Sequence, residues 1–286
     1  MPQLTASTPL RHLLLSALMG APLCGCAAQP VRPSASLLLL GEVHDNAQGH
    51  RQRYANLRKR VVEQGWRPAI VMEQFDREKQ GALTQAQSTC ADAQCIIQAA
   101  GGQRWAWPQY EPVLQLALQY HLPLVAGNVS RADAAIAMRQ GFDAVFDPET
   151  VRAFKLQALL PPDLVRGQQR VIEEGHCGKL PESMALGMVR SQVARDVWMA
   201  KMLLDNARTG AVLLAGNGHV RKDLGVPRWL PAADQASAEV QAYVESMEAD
   251  SAVAYDMAHT VAAHPRPDPC LAFAAPPAAG AIETNR

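Results

Sequence analysis

Short apolar runs separated by helical patterns are the feature of this sequence that most restricts its fold. Four such runs lie at 37–40, 69–73, 122–126 and 211–215, and each has the length of a buried strand. Between them, apolar residues recur three and four positions apart, which is the pattern of crossover helices. Strands joined by crossover helices run parallel. The sequence therefore predicts an α/β fold with a mostly parallel β-sheet flanked by helices.

Two longer helical stretches predict a helical subdomain inserted between the strands. They extend over about 76–120, with a break at Gly101 and Gly102, and over about 148–208, with breaks at 161–162 and 175–178. Less regular β-prone sequence at 238–262 is expected to complete the sheet. The α/β domain then covers 36–264, and the Pro- and Ala-rich residues 265–286 form an irregular tail.

The N-terminus has the pattern of an export signal. Arg11 precedes an apolar run at 13–19 that is too short to cross a bilayer and is typical of a signal peptide. The run leads to Leu23-Cys24-Gly25-Cys26, which resembles a bacterial lipobox. We expect a signal peptide at 1–25, acylation of Cys26 and a lipidated tether at 26–35. The lipid would anchor the protein in the cell envelope, at the outer membrane facing the periplasm or the surface; ordinary secretion with a disulfide at Cys24 and Cys26 is the alternative.

Charge and motifs exclude several classes of function. The 27 basic and 27 acidic residues balance, whereas nucleic-acid binding usually needs a clustered positive surface, so we expect no nucleic-acid partner. The sequence contains neither a P-loop nor a Gly-x-Gly-x-x-Gly fingerprint, which argues against a phosphate cradle. It also lacks the Gly-x-Ser-x-Gly elbow of serine hydrolases.

The cysteines beyond the lipobox predict two disulfides. Exported proteins fold where disulfides persist, and the four remaining cysteines allow three pairings. We expect Cys90 to pair with Cys95, closing a small loop, and Cys177 to pair with Cys270, tying a mid-chain loop to the tail. Free or metal-binding thiols are the competing interpretation, although the sequence has no Cys-x-x-Cys pair.

Polar side chains stand where the apolar runs end. They are Glu42, His44, Glu73, Asn128, Asn217 and His219. Two of the runs end in the same pattern, Gly-x-x-His, at positions 41–44 and 216–219. Ligands of parallel α/β sheets bind outside the carboxyl ends of the strands, so these residues are expected to share one edge. Together they predict a site, with Asn128 and Asn217 in supporting roles, although each histidine taken singly could be structural.

Two chemistries fit such a cluster. Neutral imidazoles and a carboxylate bind divalent transition metals, so His44, Glu73 and His219 are candidate metal ligands. Alternatively, His44 is a general base oriented by a glutamate. If the protein is an enzyme, the expected catalytic residues are Glu42, His44, Glu73 and His219.

The same motifs resemble those of the ChaN-like haem-binding lipoproteins. The residues that carry the resemblance are 41–46, 73–75, 105–110, 127–128 and 215–220, within a similar region of about 36–262. That family shares a superfamily with the Tiki metalloproteases and the erythromycin esterases. The resemblance implies a parallel-sheet α/β core with a helical subdomain.

The branches of this superfamily imply different functions. The ChaN-like branch implies a lipid-anchored haem-binding protein of the cell envelope, in haem or iron uptake or handling, with haem ligation by a tyrosine. The Tiki branch implies a metal-dependent protease that uses His44, Glu73 and His219, and the esterase branch gives base chemistry to Glu42 and His44. The ChaN-like function is the first hypothesis, a metal-dependent hydrolase is the second, and a non-catalytic structural lipoprotein is the third.

For haem, the resemblance directs attention to the aromatic residues at 105–110. Tyr110 is the preferred iron ligand, because a tyrosinate suits ferric iron, and the indoles of Trp105 and Trp107 would cover the porphyrin. Arg104 or Arg51 would meet the propionates. The sequence has no Cys-x-x-Cys-His signal, so the haem would be non-covalent. We also expect a haem-delivery or receptor partner and consider a homodimer; the competing interpretation of the aromatic group is ordinary core.

Overall fold

The computed structural model describes residues 37–247, 251–268 and 270–271. The predicted signal peptide, Cys26, the tether and most of the tail lie outside these residues. The described residues all belong to one unit, Val31–Arg286. None of the helices in the described ranges is long and apolar enough to cross a membrane.

The six strands of the described residues form one parallel sheet in the order β3-β2-β4-β1-β5-β6. The strands are β1 (Leu37–Glu42), β2 (Ala69–Asp76), β3 (Leu124–Asn128), β4 (Ala211–Gly216), β5 (Glu239–Val244) and β6 (Met257–Thr260). Every residue of the central strands β1 and β4 is buried, as expected for a parallel sheet that is covered on both faces. The predicted α/β fold is therefore confirmed.

Helices follow most strands, as the alternating pattern predicts. They are α1 (Ala47–Val62), α2 (Gln80–Thr89), α3 (Ala93–Ala100), α4 (Glu111–Tyr120), α5 (Arg131–Gln140), α6 (Pro148–Ala153), α7 (Pro162–Gly175), α8 (Glu182–Asn206), α9 (Asn217–Val220), α10 (Ala232–Ser237) and α11 (Ser251–Ala254). Short 3-10 turns lie at Arg77–Lys79, Trp107–Gln109, Phe142–Ala144, Ala207–Thr209 and Val226–Trp229. Helix α1 begins at the first strand-end motif, because the Asn46 side chain accepts a hydrogen bond from the Gly49 amide at 2.9 Å.

The helices cover the sheet from two sides. On one face, Leu38 and Leu40 pack with apolar residues of α1 to α4, so the first predicted helical stretch lies directly on the sheet. On the other face, Leu37 and Leu39 pack with Met199 of the long helix α8. Neighbouring residues of β1 pack on opposite faces of the sheet because successive side chains of a strand point to opposite sides. The amino-terminal part of α8 also packs with α5 to α7 in a separate apolar cluster, which holds the second helical stretch beside the sheet edge.

The outer edge of β3 is occupied by side chains. Gln80 accepts from the Ala126 amide at 2.7 Å and donates to the Leu124 carbonyl at 3.2 Å. Gln87 pairs in the same way with the Leu124 amide, at 3.0 Å, and with a carbonyl just before the strand. The indole of Trp198 donates to the Ala126 carbonyl at 3.0 Å. These amides satisfy backbone groups that a neighbouring strand would otherwise bind.

Both predicted disulfides are present among the described residues. Cys90 pairs with Cys95 across a separation of 5 residues, which joins the end of α2 to the first turn of α3. Cys177 pairs with Cys270 across 93 residues, so the turn between α7 and α8 is tied to the C-terminal segment. The interpretation of these cysteines as free or metal-binding thiols is therefore wrong.

Candidate functional site

The carboxyl ends of β1, β2 and β4 meet at one cavity of about 560 Å³. Its lining residues are His44, Asp45, Glu73, Arg104, Trp105, Ala106, Gln192, Arg195 and His219. The two Gly-x-x-His motifs are neighbours here because Glu42 of β1 is in register with Gly216 of β4. The predicted convergence of His44, Glu73 and His219 is therefore what the structure shows.

Each glycine that opens a motif makes room for a residue of the other motif. A Cβ on Gly41 would lie 2.3 Å from Oδ1 of Asn217, which is closer than real contacts allow. A Cβ on Gly216 would lie 3.1 Å from both Cε1 and Nε2 of His44, which would push the imidazole away. The repeated pattern thus lets two adjacent strand ends approach closely.

Glu42 is the centre of a buried polar network that orients His44. Its carboxylate pairs with the buried Arg53 and accepts hydrogen bonds from Tyr110 Oη at 2.5 Å and from Gln74 Nε2 at 3.3 Å. His44 Nδ1 lies 2.8 Å from Glu42 Oε1, and because a carboxylate accepts, this nitrogen carries the proton. In the neutral imidazole, Nε2 of His44 then keeps its lone pair, and the side chain is 47% exposed and lines the cavity.

Glu73 and His219 form the second half of the site. The buried Glu73 accepts from the Gly216 amide at 2.8 Å, and its other oxygen lies 3.8 Å from His219 Nε2. His219 Nδ1 donates to Asp196 Oδ1 of α8 at 2.6 Å. Burial raises the pKa of Glu73, but the charges of His219 and His44 lower it by more, so it lies below its ordinary value. The carboxylate is therefore held in its charged form.

Asp196→Asn should lower the pKa of His219. Burial lowers this pKa, but the charges of Asp196 and Glu73 raise it by more, so that it lies above 6.5. A raised folded-state pKa contributes stability in full below pH 6.5 and loses it as the pH rises through the folded value. In the variant we expect the NMR titration of His219 to move to lower pH. The stability that the protein loses as the pH rises through this titration should then be smaller than in the wild type. An unchanged His219 titration would contradict the coupling, and the His259 titration is the internal control.

The three aromatic residues of the predicted haem site do not share one surface. Trp105 lines the cavity, with its ring 5.0 Å from the His44 ring in an edge-on contact, and Arg104 lies 5.5 Å above it. Trp107 turns toward the core, where it packs 5.2 Å from the Phe75 ring and donates its indole N–H to the Gly102 carbonyl. Trp107 is therefore not part of this cavity wall, and its contact with a porphyrin stays a prediction.

Tyr110 and Arg51 are also placed away from the cavity. The Tyr110 ring is fully buried, its hydroxyl donates to Glu42, and burial raises its pKa well above the ordinary value of 10.0. A tyrosinate ligand needs a deprotonated, accessible oxygen, so this packing argues against Tyr110 as the iron ligand. Arg51 is exposed on α1 and is not among the residues of the cavity wall, because the inward positions there belong to His50 and Arg53. Of the two arginines predicted to meet the propionates, only Arg104 lines the cavity.

Asn128 and Asn217 support strand ends without lining the cavity. Asn128 donates to Asp76 Oδ1 at 2.8 Å, which joins the ends of β3 and β2. Asn217 donates to the Tyr243 carbonyl at 2.7 Å and accepts from the Tyr243 amide at 3.3 Å, which ties the end of β4 to β5. Their role is to hold the backbone that presents the histidines.

The predicted divalent metal gains no support. Within the described ranges, no group of three or more His, Cys, Asp and Glu side chains could hold a metal ion. His44 and His219 each give one ring nitrogen to a carboxylate, and His219 Nε2 faces Glu73 across 3.8 Å. The three predicted ligands therefore lie together as an ion-paired cluster.

The sequence interpretation missed two residues of the site on α8. Arg195 lines the cavity, and Asp196 orients His219. Both lie in the apolar sequence Val193-Ala194-Arg195-Asp196-Val197, where adjacent opposite charges among buried positions are unusual. That interruption of an apolar helix face is the signal that would have found them.

Comparisons with known proteins agree with this fold. The model of a family described as haem-binding uptake, Tiki superfamily, ChaN matches residues 32–230. Among solved structures, the ChaN protein of Campylobacter jejuni, described with cofacial haem binding, has a TM-score of 0.59 at 20% identity, over 78% of this chain and 86% of that one. A mutant of the erythromycin esterase EreC in its open conformation has a TM-score of 0.43 at 15% identity, over 73% and 70%.

The likeness to the Campylobacter jejuni structure shows the fold alone, and no curated protein sequence matches the chain. The family model, however, covers most of the chain and includes both Gly-x-x-His motifs, Glu73, Trp105 and the α8 residues of the cavity wall. The chain therefore belongs to the ChaN family of haem-binding uptake proteins in the Tiki superfamily.

Proposed function

We propose that this protein binds haem non-covalently in the cavity at the carboxyl end of its sheet. The observation that carries the proposal is the pairing of an accessible imidazole, His44, with an indole wall, Trp105, inside a cavity of about 560 Å³. Pockets for small ligands and cofactors have volumes of about 300–1,000 Å³ and combine aromatic walls with a few polar groups. The family of the chain, which is one of haem-binding proteins, supports the same ligand.

His44 replaces Tyr110 as the proposed iron ligand. A histidine that binds a metal usually donates its other ring N–H to a carboxylate or carbonyl, which fixes the tautomer and the ring orientation. His44 has this arrangement, since Nδ1 is held by Glu42 and Nε2 is left for the cavity. Haem, when bound, would supply an iron that an imidazole such as His44 could ligate. Trp105 would give the porphyrin an apolar wall, and Arg104 would lie beside it.

The proposed setting is the cell envelope, with a role in haem or iron uptake or handling. Support comes from the lipobox resemblance at Leu23-Cys24-Gly25-Cys26 and from the family description, which names haem uptake. The homodimer and the haem-delivery partner stay predictions. Lipidation of Cys26 belongs to the same proposal.

Titration of the purified protein with hemin tests the proposed function. We expect a Soret band that shifts and saturates at a fixed ratio of hemin to protein, because the cavity offers one defined ligand. A linear, unsaturable change, equal to that given by an unrelated protein of the same size, would contradict specific binding. That result would return the metal-dependent hydrolase and the structural lipoprotein as the hypotheses to test.

A further inference from the structure

We infer that Arg195 is a carboxylate-binding subsite of the cavity and that it favours ligands with free acid groups. This inference rests on the proposed haem function, since the propionates of haem are such groups. Neither the sequence motifs nor the family description points to Arg195, which lies in the middle of α8.

Arg195 is a partly buried cation that has no direct ion pair among the described residues, although the charges of Glu73 and Asp196 act on it from beyond that distance. Its Nη1 donates to Ser191 Oγ at 3.0 Å and weakly to the Ser191 carbonyl at 3.4 Å, both within the same helix. Within the described ranges of the chain, no carboxylate lies within ion-pair distance of its guanidinium. Arg53, which is fully buried near the site, is by contrast paired with Glu42. A buried charge is costly unless it is paired, so the free donors of Arg195 favour an incoming anion.

The charges around the cavity agree with this role. Arg104 is a second cation of the cavity wall, and its nearest carboxylate, on Asp76, is 3.8 Å away. The negative charge of Asp45 is already bound by Arg266, whose guanidinium donates to both carboxylate oxygens at 2.7 and 3.0 Å. Glu73 is neutralised in part by the Gly216 amide and His219. The two arginines of the cavity wall are therefore less closely paired with opposite charges than its two carboxylates are.

The position of Arg195 also fits a flat, acidic ligand. It shares the cavity wall with Trp105, which offers apolar contact, and with Gln192. Gln192 precedes Arg195 by three residues, so the two side chains lie on the same face of α8. Arginine binds carboxylates through two parallel N–H groups, which gives direction as well as charge. A ligand whose apolar body meets Trp105 could place an acid group on Arg195 and Gln192.

Metal-free protoporphyrin and its dimethyl ester separate this subsite from iron binding. Both have the same flat body, but only the first carries free carboxylates. We expect the wild-type protein to bind the acid about 10-fold more tightly than the ester, which corresponds to about 1.4 kcal/mol of binding free energy. Porphyrin fluorescence measures both affinities. In Arg195→Gln the preference should fall to nearly 1. Arg51→Gln, which removes an equal charge from the exposed face of α1, should keep the wild-type preference.

Two results would overturn the inference, and a further variant tests how the charge at this position acts. Equal binding of acid and ester by the wild-type protein would show that no group recognises the carboxylates. If Arg195→Gln weakens the binding of the acid and of the ester equally, Arg195 acts through packing or through its charge beside Glu73, and does not recognise the carboxylates of the ligand. Arg195→Lys keeps the charge in case the glutamine variant does not fold, and a preference unchanged from wild type would rule out recognition by the guanidinium fork. If hemin binds while the acid preference is absent, only the subsite fails; if hemin also fails to bind, the proposed function fails with it.

Discussion

Glu42→Gln should lower the free energy of unfolding by about 3–5 kcal/mol, because it leaves a buried arginine without its anion. Glu42 and Arg53 are both almost fully buried, at 0% and 1% side-chain exposure, so solvent cannot take over the role of the lost partner. Tyr110 and His44 also donate to this carboxylate, and both would lose a charged acceptor. The measurement is chemical denaturation of the purified protein, with the slope of the transition compared between variants.

Glu239→Gln is the matched control for this experiment. Glu239 forms an ion pair with Arg60, at 2.6 Å, but both side chains are partly exposed. Such pairs contribute about 0–1 kcal/mol, so the same substitution should have a small effect there. A second variant, Glu42→Gln with Arg53→Met, should recover much of the lost stability, because it removes the stranded charge. Equal effects of Glu42→Gln and Glu239→Gln would show that the network is not a buried ion pair in solution.

His44→Ala should weaken hemin binding about 100-fold, which corresponds to about 2.7 kcal/mol, and should change the position of the Soret band. The reason is that Nε2 of His44 is the accessible imidazole nitrogen that Glu42 orients toward the cavity. Imidazole added to the variant should restore part of the wild-type spectrum, since it supplies the missing ligand. The measurement is a hemin titration followed by absorption spectroscopy.

Two control variants make this result specific. Tyr110→Phe should leave the Soret position unchanged, because the Tyr110 hydroxyl lies in the buried network. His259→Ala removes a histidine that stacks on Tyr243 in the β5–β6 part of the sheet, and it should also bind hemin like the wild type. If Tyr110→Phe loses the Soret shift while His44→Ala retains it, the tyrosine is the ligand and the network must open when haem binds.

The fold could be predicted from the sequence because strands and helices are indicated by local patterns of apolar residues. Apolar runs gave the strands to within a few residues, and the largest differences lie at strand ends. The third run was predicted to begin at Leu122, but β3 begins at Leu124 and extends to Asn128. Pro123 has no N–H for the ladder, and its carbonyl accepts from Ile70 just outside the strand. The second strand continues beyond Glu73 to Asp76, which Asn128 binds.

The site was predictable only where the sheet dictates it. Parallel strands end at one edge, so His44, Glu73 and His219 had to meet there. The direction of Tyr110 depends on how α4 packs against α1, and the contribution of Arg195 depends on where α8 crosses the sheet edge. Neither depends on local sequence pattern. Residue type suggested a tyrosinate ligand, but packing placed that hydroxyl on Glu42.

The side chains that occupy the outer edge of β3 limit how this molecule can associate with itself. Gln80, Gln87 and Trp198 already bind the backbone groups there, so no further strand can add at that side without displacing them. A sheet has two edges, and open-ended fibres need both. Whatever pairing β6 permits, strand addition between copies of this sheet must therefore stop at two molecules, which prevents growth into fibrils by this route.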